Sequence, residues 1–371
     1  MTIEVARLHQ VAMPLRSPFR TSYGVEHQRD LVLVEVETDA ATGWGECVAL
    51  GTPHYNAEYA DGAYEVLRRF LIPLLLTAPD VMAADVGRLL APVKGQAMAK
   101  AAIEMAVLDA HLRTNGRSLA DALGVTATHV DSGVAIGITG DVVALVDAVA
   151  DAVAAGYRRV KLKIEPGWDV AAVRAVREQF PHLALQVDGN GAYTMSDVGT
   201  FAALDAFDLL LVEQPFADDD LLAHAALARQ ITTPVCLDET ITSLASATAA
   251  IEIGACAVVN LKPGRVGGLA EAVRIHDLCR ARSVGLWCGG MFETGLGRAV
   301  NVVLAGLPGF TLPGDLSGSD RYYTADLTDP FVIDDGRLLV PTGPGIGRVP
   351  RPEVLSERSI RSAEWGRTHG T

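Results

Sequence analysis

The sequence predicts an α/β protein: a (β/α)8-type (modified TIM) barrel with an N-terminal α+β capping domain. Three observations predict it. Lys163, Asp188, Glu213, Asp238 and Lys262 are separated by 25, 25, 25 and 24 residues. Each closes a short apolar run (RRVKLKI, LALQVD, LLLVEQP, PVCLDE, AVVNLKP), and a helix-like stretch follows each. The N-terminal third lacks this rhythm. A strand, a helix and two loops take about 25 residues, and a fixed period of about 20–50 residues marks a repeated unit. Spacing alone also allows a doubly wound open sheet. A barrel ring is preferred because it lets functional residues on five consecutive strand ends converge, where an open sheet spreads them.

The capping domain is placed at residues 1–125. LVLVEVET, residues 31–38, alternates like an exposed antiparallel strand and leads to TGWGE. From about residue 56 to 123 the chain reads as helices, the clearest being MAKAAIEMAVLDAHLRTNG, which stops at Asn115-Gly116. The barrel is placed at 126–320. VDSGVAIGI, residues 130–138, ends 25 residues before Lys163 and is its first strand. Val170, Val173, Val176 and Phe180 sit at helical spacing between later strands, as do Val198, Phe201 and Leu204. Two further strands fit after Lys262, VGLWCGG around 288 and GFTLPGD around 312; seven of the eight expected strands are firm. Residues 321–371 contain DPFVIDDGRLLVPTGPGIG, a hairpin with Gly/Pro turns that is expected to return to the capping domain.

Composition narrows the function classes. A bare barrel takes roughly 250 residues, so a chain of 371 has room for a second small domain. Apolar residues are 49% and charged residues 20%, which suits a well-buried globular protein. The net charge is −14 and no Lys/Arg block stands out, so nucleic acid is excluded as a partner. Glu4, Arg7 and Arg16 interrupt the start of the chain, and FLIPLLL is too short to span a bilayer and holds Pro73. No membrane partner and a cytoplasmic location are expected. Cys47, Cys236, Cys256, Cys279 and Cys288 form no CxxC pair and read as reduced, buried thiols.

The chemistry lies on the ruler. Three carboxylates, Asp188, Glu213 and Asp238, suit a hard cation with oxygen ligands, hence Mg2+, with Mn2+ or another divalent ion as a substitute. Zinc is disfavoured, since no His or Cys stands at an equivalent position. Lys161 and Lys163 lie two apart on one strand and share a face, inside a barrel. Lys262 reaches in from the far side of the ring, so two amines could address both faces of one carbon. Plainer roles exist for each: a salt bridge or helix cap for a carboxylate, a solvent-facing strand for the paired lysines, a flexible loop in KPGRVGG for Lys262. A Schiff-base aldolase would use a lysine as nucleophile, but the carboxylate triad tells against it. A barrel kept as a structural protein would be expected to have lost part of the set.

The KxK of KLKIEP, the VDGN, the VEQP, the CLDE and the LKPGRVGG match in identity, order and spacing those of the enolase superfamily, and the chain resembles its muconate-lactonizing-enzyme subgroup. SPFRTSYG, GWGECVAL, PHYNAEY, KLKIEPGWD and WCGGMFETGLGRA closely resemble the o-succinylbenzoate synthase / N-succinylamino acid racemase family. The resemblance implies that Asp188, Glu213 and Asp238 bind Mg2+, that Lys163 and Lys262 are the acid/base pair, and that Lys161 supports the substrate carboxylate. Asn190 and Glu239 would orient the ligands. Phe19, Tyr23, Leu50 and Tyr55 would sit in capping loops 17–24 and 50–59 over the barrel mouth, while Gly289, Gly290, Met291 and Phe292 line it. Arg265 stands where racemising members often carry Arg. WCGGMFETGLGRA holds no His, which argues against a Lys/His pair. Two departures are VDGN for the commoner VDAN, and Ala135 in place of a small polar residue.

The implied reaction is removal of the proton α to a carboxylate on a small-molecule substrate. The first expectation is o-succinylbenzoate synthase, a syn-dehydration in menaquinone biosynthesis, with N-acyl/N-succinylamino acid racemase activity. A dedicated N-acylamino acid racemase is the alternative, and a dipeptide epimerase or other muconate-lactonizing-type enzyme a more distant one. A homo-oligomer is expected.

Overall fold

The computed structural model describes residues 1–367. It is a (β/α)8-type barrel carrying an N-terminal cap. The cap is a four-stranded antiparallel sheet in which the C-terminal strand Ser359–Gly366 pairs with β1 (Val5–Thr21), β1 with β2 (Gly24–Glu37), and β2 with β3 (Thr42–Cys47).

The expectation that residues 31–38 form a strand with one exposed face needs correction. Leu31, Val32, Leu33 and Val34 are all fully buried. Val32, Val34 and Val36 face the cap's own core, whereas Leu31 and Leu33 belong to the core shared with the barrel. The alternation survives as two apolar faces, because the barrel covers the side that would otherwise meet water.

Helix α1 (Ala97–Thr114) packs across β3. The glycines of TGWGE make this possible. A Cβ on Gly45 would collide with the carbonyl oxygen of Ala102, and one on Gly43 with that of Ala106.

Seven parallel strands follow in sequence order: β4 (Gly133–Ile136), β5 (Arg159–Lys163), β6 (Leu185–Asp188), β7 (Val212–Glu213), β8 (Val235–Leu237), β9 (Val258–Leu261) and β10 (Gly285–Cys288). Several intervening helices start at capping side chains, such as Asp141, Asp220 and Ser243, which accept backbone N–H bonds.

The run around residue 312 is not a regular strand. It closes the ring all the same: Thr311 N donates to Leu286 O (3.2 Å), Asp315 N to Cys288 O (3.0 Å), and Gly133 N to Gly314 O (2.7 Å). Pro313 has no N–H to donate, which shortens the ladder to these bonds.

The cap reaches the barrel mouth by two routes. Residues 17–24 are the tip of the β1–β2 hairpin rather than a loop, with Phe19 opposite Glu26 and Thr21 opposite Gly24. The tip touches the barrel where Ile138 N donates to Arg20 O (2.9 Å) and Ser22 Oγ to Gly189 O (3.1 Å). Arg29, almost fully buried, then ties the second segment down. It donates to Val48 O and Ala49 O (each 2.6 Å) and, on the barrel side, to Met291 O (3.0 Å).

Two buried glutamates join cap to barrel. Glu46 accepts from Thr294 Oγ1 (2.6 Å) and Gly297 N (3.0 Å), and Glu104 accepts from Ala270 N (2.9 Å). Among the described residues no helix is long and apolar enough to cross a membrane.

Candidate active site

Strand register brings the ruler residues together. Lys163 lies beside Asp188, and Asp188 beside Glu213, on three neighbouring strands. Glu213 lies beside Cys236, so Asp238 stands two residues further out, just past the end of β8. Asn190 has φ +43°, a turn that lets its N–H reach Asp188 Oδ1 (2.9 Å).

The buried charges are interlocked. Lys161 Nζ bridges Glu213 Oε2 (2.9 Å) and Asp188 Oδ2 (3.2 Å), and also meets Asp315 Oδ2 (2.6 Å). Lys163 Nζ donates to Asp188 Oδ2 and to Asn190 Oδ1, both at 2.6 Å. Lys262 Nζ donates to Asp238 Oδ2 (2.8 Å) and Tyr55 OH (3.0 Å). Arg265 pairs with the other oxygen of Asp238. Asn190 Nδ2 donates to Glu239 Oε1 (2.7 Å), and Asn260 Nδ2 to Glu213 Oε1 (2.7 Å).

These contacts set the protonation equilibria. Burial alone would raise Asp188, but Lys163 and Lys161 outweigh it and hold that carboxyl down at about 2. Burial together with neighbouring Asp188 raises Glu213, and pushes Glu239 up to about 7. Burial works to lower Lys161, yet Asp315, Glu213 and Asp188 keep it above the ordinary lysine range. Lys262 is likewise raised: burial is outweighed by Tyr55, Glu239 and Glu213.

The cavity over these groups is lined by Phe19, Tyr23, Leu50, Tyr55, Lys161, Lys163, Asn190, Lys262, Gly290, Met291 and Phe292, all named from sequence. Arg265 and Gly289 are not on its wall. Arg265 lies behind Asp238, donating also to Ile241 O (2.8 Å) and Asn260 O (2.7 Å). Gly289 is glycine for a packing reason. A Cβ there would come within 2.5 Å of Lys262 Cε and would also strike Asn260.

Four charged or aromatic lining residues escaped the sequence reading: Glu293, Arg298, Asp315 and Tyr322. Asp315 closes GFTLPGD as Asp188 closes its own run, a usable signal, but it falls off the 25-residue ruler. Glu293 and Arg298 lie within the WCGGMFETGLGRA run, which offered no charge pattern to single them out.

The donor set fits a hard divalent cation. Asp188, Glu213 and Asp238 offer only carboxylate oxygens at the ends of adjacent strands. Among the described residues no three His, Cys, Asp or Glu side chains are grouped closely enough to hold a metal ion as they stand. The Lys161 ammonium already bridges Asp188 and Glu213, so two of the three are arranged around one positive charge, while Asp238 turns to Lys262 and Arg265. The thiols are unsuited: Cys236 Sγ accepts from Trp287 Nε1 (3.3 Å), and burial raises it well above the usual thiol range.

Residues 144–354 match the family described as enolase C-terminal domain-like, and residues 2–124 match the mandelate racemase / muconate lactonizing enzyme N-terminal domain. The chain is 55% identical over 358 residues to an N-succinylamino acid racemase from Amycolatopsis, covering 96% of this chain and 97% of that one. It is 44% identical over 349 residues to an o-succinylbenzoate synthase from Geobacillus kaustophilus, covering 94% and 93%. The crystal structure of an enolase superfamily member from Listeria innocua superposes with a TM-score of 0.95 at 39% identity, covering 99% of this chain and 100% of that one.

Proposed function

The chain belongs to the enolase superfamily, in its mandelate racemase / muconate lactonizing enzyme branch, and from that premise we propose that it is an o-succinylbenzoate synthase whose site also racemises N-succinylamino acids. The observation that carries this reading is the pair of lysines set four strands apart in the ring. Lys163 ends β5 and Lys262 follows β9, each with its Nζ on a different strand-end carboxylate.

Lys163 takes the α-proton on one face of the substrate carbon. Lys161, held as a cation by Asp315 and Glu213, binds and balances the carboxylate on that carbon. For dehydration, the proton on Lys163 returns to the departing hydroxyl on the same face, which leaves as water, while Lys262 balances charge from the other side. For racemisation, Lys262 delivers a proton to the opposite face. A divalent cation, Mg2+ with Mn2+ as a substitute, would be held by Asp188, Glu213 and Asp238 and would supply further positive charge to the substrate carboxylate. Asn190 and Glu239 steady these groups through the Lys163–Asn190–Glu239 chain of hydrogen bonds. Phe19, Tyr23, Leu50 and Tyr55 close the mouth and exclude water.

One NMR time course in D2O tests this, with the synthase precursor and N-succinyl amino acids side by side in Mg2+. Dehydration together with α-proton exchange is expected. Loss of neither water nor α-proton would sink the reading. A dedicated racemase is the second reading, favoured by the relative that carries that name; exchange without dehydration would establish it.

A further inference from the structure

Lys161, Lys163 and Lys262, the cavity's lysines, each have a carboxylate partner, and so does Arg265 behind them. Arg298 does not. It sits in the first turn of α3 (Gly295–Ala305; α2 is Leu269–Ala281), is 3% exposed, and lines the same cavity. Among the described residues no carboxylate lies within ion-pair distance of it. Its partners are two backbone carbonyls: Nη1 donates to Ser317 O and Nη2 to Glu293 O, both at 2.7 Å. These bonds aim the guanidinium fork without neutralising it, and a buried charge without a counter-ion is costly.

Its surroundings suit the end of an organic chain. Phe19, Phe292, Leu316 and Tyr322 line the cavity with it, and the Arg298 guanidinium lies 5.9 Å from the Tyr322 ring centre. Two carboxylates line the cavity with it, and Asp315 is already paired with Arg159 and Lys161, each at 2.6 Å. Glu293 Oε1 accepts from Asn301 Nδ2 (2.9 Å), and a Cβ at Gly290 would lie 3.3 Å from Glu293 Oε2. Arg298 meets residue 293 only through its backbone carbonyl. The carboxylate at the reacting carbon is already provided for by Lys161 and the strand-end ligands. Arg298 is therefore a preset cation with no assigned anion, and an Arg fork matches a carboxylate in two hydrogen bonds.

We propose that Arg298 binds a second carboxylate at the far end of the substrate's acyl arm, so that the site selects dicarboxylates. The proposal rests on the α-proton chemistry assigned above. It adds a specificity residue that acts on affinity for the arm and takes no part in the proton transfers.

The test compares N-succinylphenylalanine with its succinamoyl isostere, in which a neutral amide replaces the distal carboxylate. The wild-type protein in Mg2+ should prefer the dianion in kcat/KM by roughly ten- to hundredfold, the range of a charge-assisted hydrogen bond, with most of the difference in KM. Arg298→Met should collapse the preference to within about threefold, and Arg298→Lys, which keeps charge but loses the fork, should retain part of it. An equal loss on both substrates, leaving the ratio intact, would show that Arg298 only supports the fold and would overturn the proposal. So would a wild-type protein indifferent to the distal charge. Calorimetry with o-succinylbenzoate and its distal monoamide reads the same ratio without turnover. If the protein exchanges no α-proton yet binds the diacid through Arg298, the reaction assignment fails and the subsite stands. If it binds neither ligand, the subsite fails.

Discussion

At the residue scale the site is a set of buried cations and anions that hold one another in place. Lys163 and Lys262 belong to different clusters, one with Asp188 and Asn190, the other with Asp238 and Tyr55. Each should therefore serve one face of the substrate carbon. Lys163→Ala should abolish solvent deuterium exchange from one enantiomer of an N-succinyl amino acid, and Lys262→Ala from the other, with racemisation falling by about 10²–10⁴-fold in both. Exchange of both enantiomers at the wild-type rate in either variant would refute two-sided chemistry. The five ruler residues could be read from sequence because a strand end fixes both position and facing. Arg298 could not, since its significance is the lack of a carboxylate partner, and no pattern of residues encodes a missing contact.

At the element scale, close approach decides which glycines matter. Gly45 lets β3 lie directly on the backbone of α1 around Ala102. Gly45→Ala should force strand and helix apart and destabilise the protein by roughly 1–3 kcal/mol, as overpacking does. Urea unfolding checks this, and an unchanged midpoint would mean that the layers separate freely. TGWGE was legible as a strand ending, but its packing role needs the partner helix some 55 residues later, about 15 turns of helix away if the chain were one helix. The hairpin tip at 17–24 shows the same limit. SPFRTSYG reads as a loop, and only pairing with residues 24–26 makes it an extended arm over the barrel.

At the scale of the whole molecule, the cap is joined to the barrel partly through Glu46 and Glu104. Burial raises each from 4.5 to about 7. The folded protein therefore holds these protons more tightly than the unfolded chain does. Their contribution to stability is complete below about pH 4.5 and is lost as pH rises through about 7. The helix N-termini they face favour the anion and temper the effect. Glu46→Gln should flatten the fall in stability across this window by about 1–3 kcal/mol, and adding Glu104→Gln should flatten it further. Melting curves from pH 4.5 to 7.5 check this; a double variant with the wild-type slope would show that neither group titrates there. By itself the sequence determined the barrel, the cap and the strand ends that carry the lysines and carboxylates, because a 25-residue period and strand alternation are local properties of the chain. Tertiary structure decided the rest: that the cap sheet is buried on both faces, that residues 311–315 close the ring without forming a strand, and that Asp315 and Arg298 enter the cavity. Each of these depends on which distant segment covers a surface or leaves a charge unpaired, and that is settled only when the chain packs.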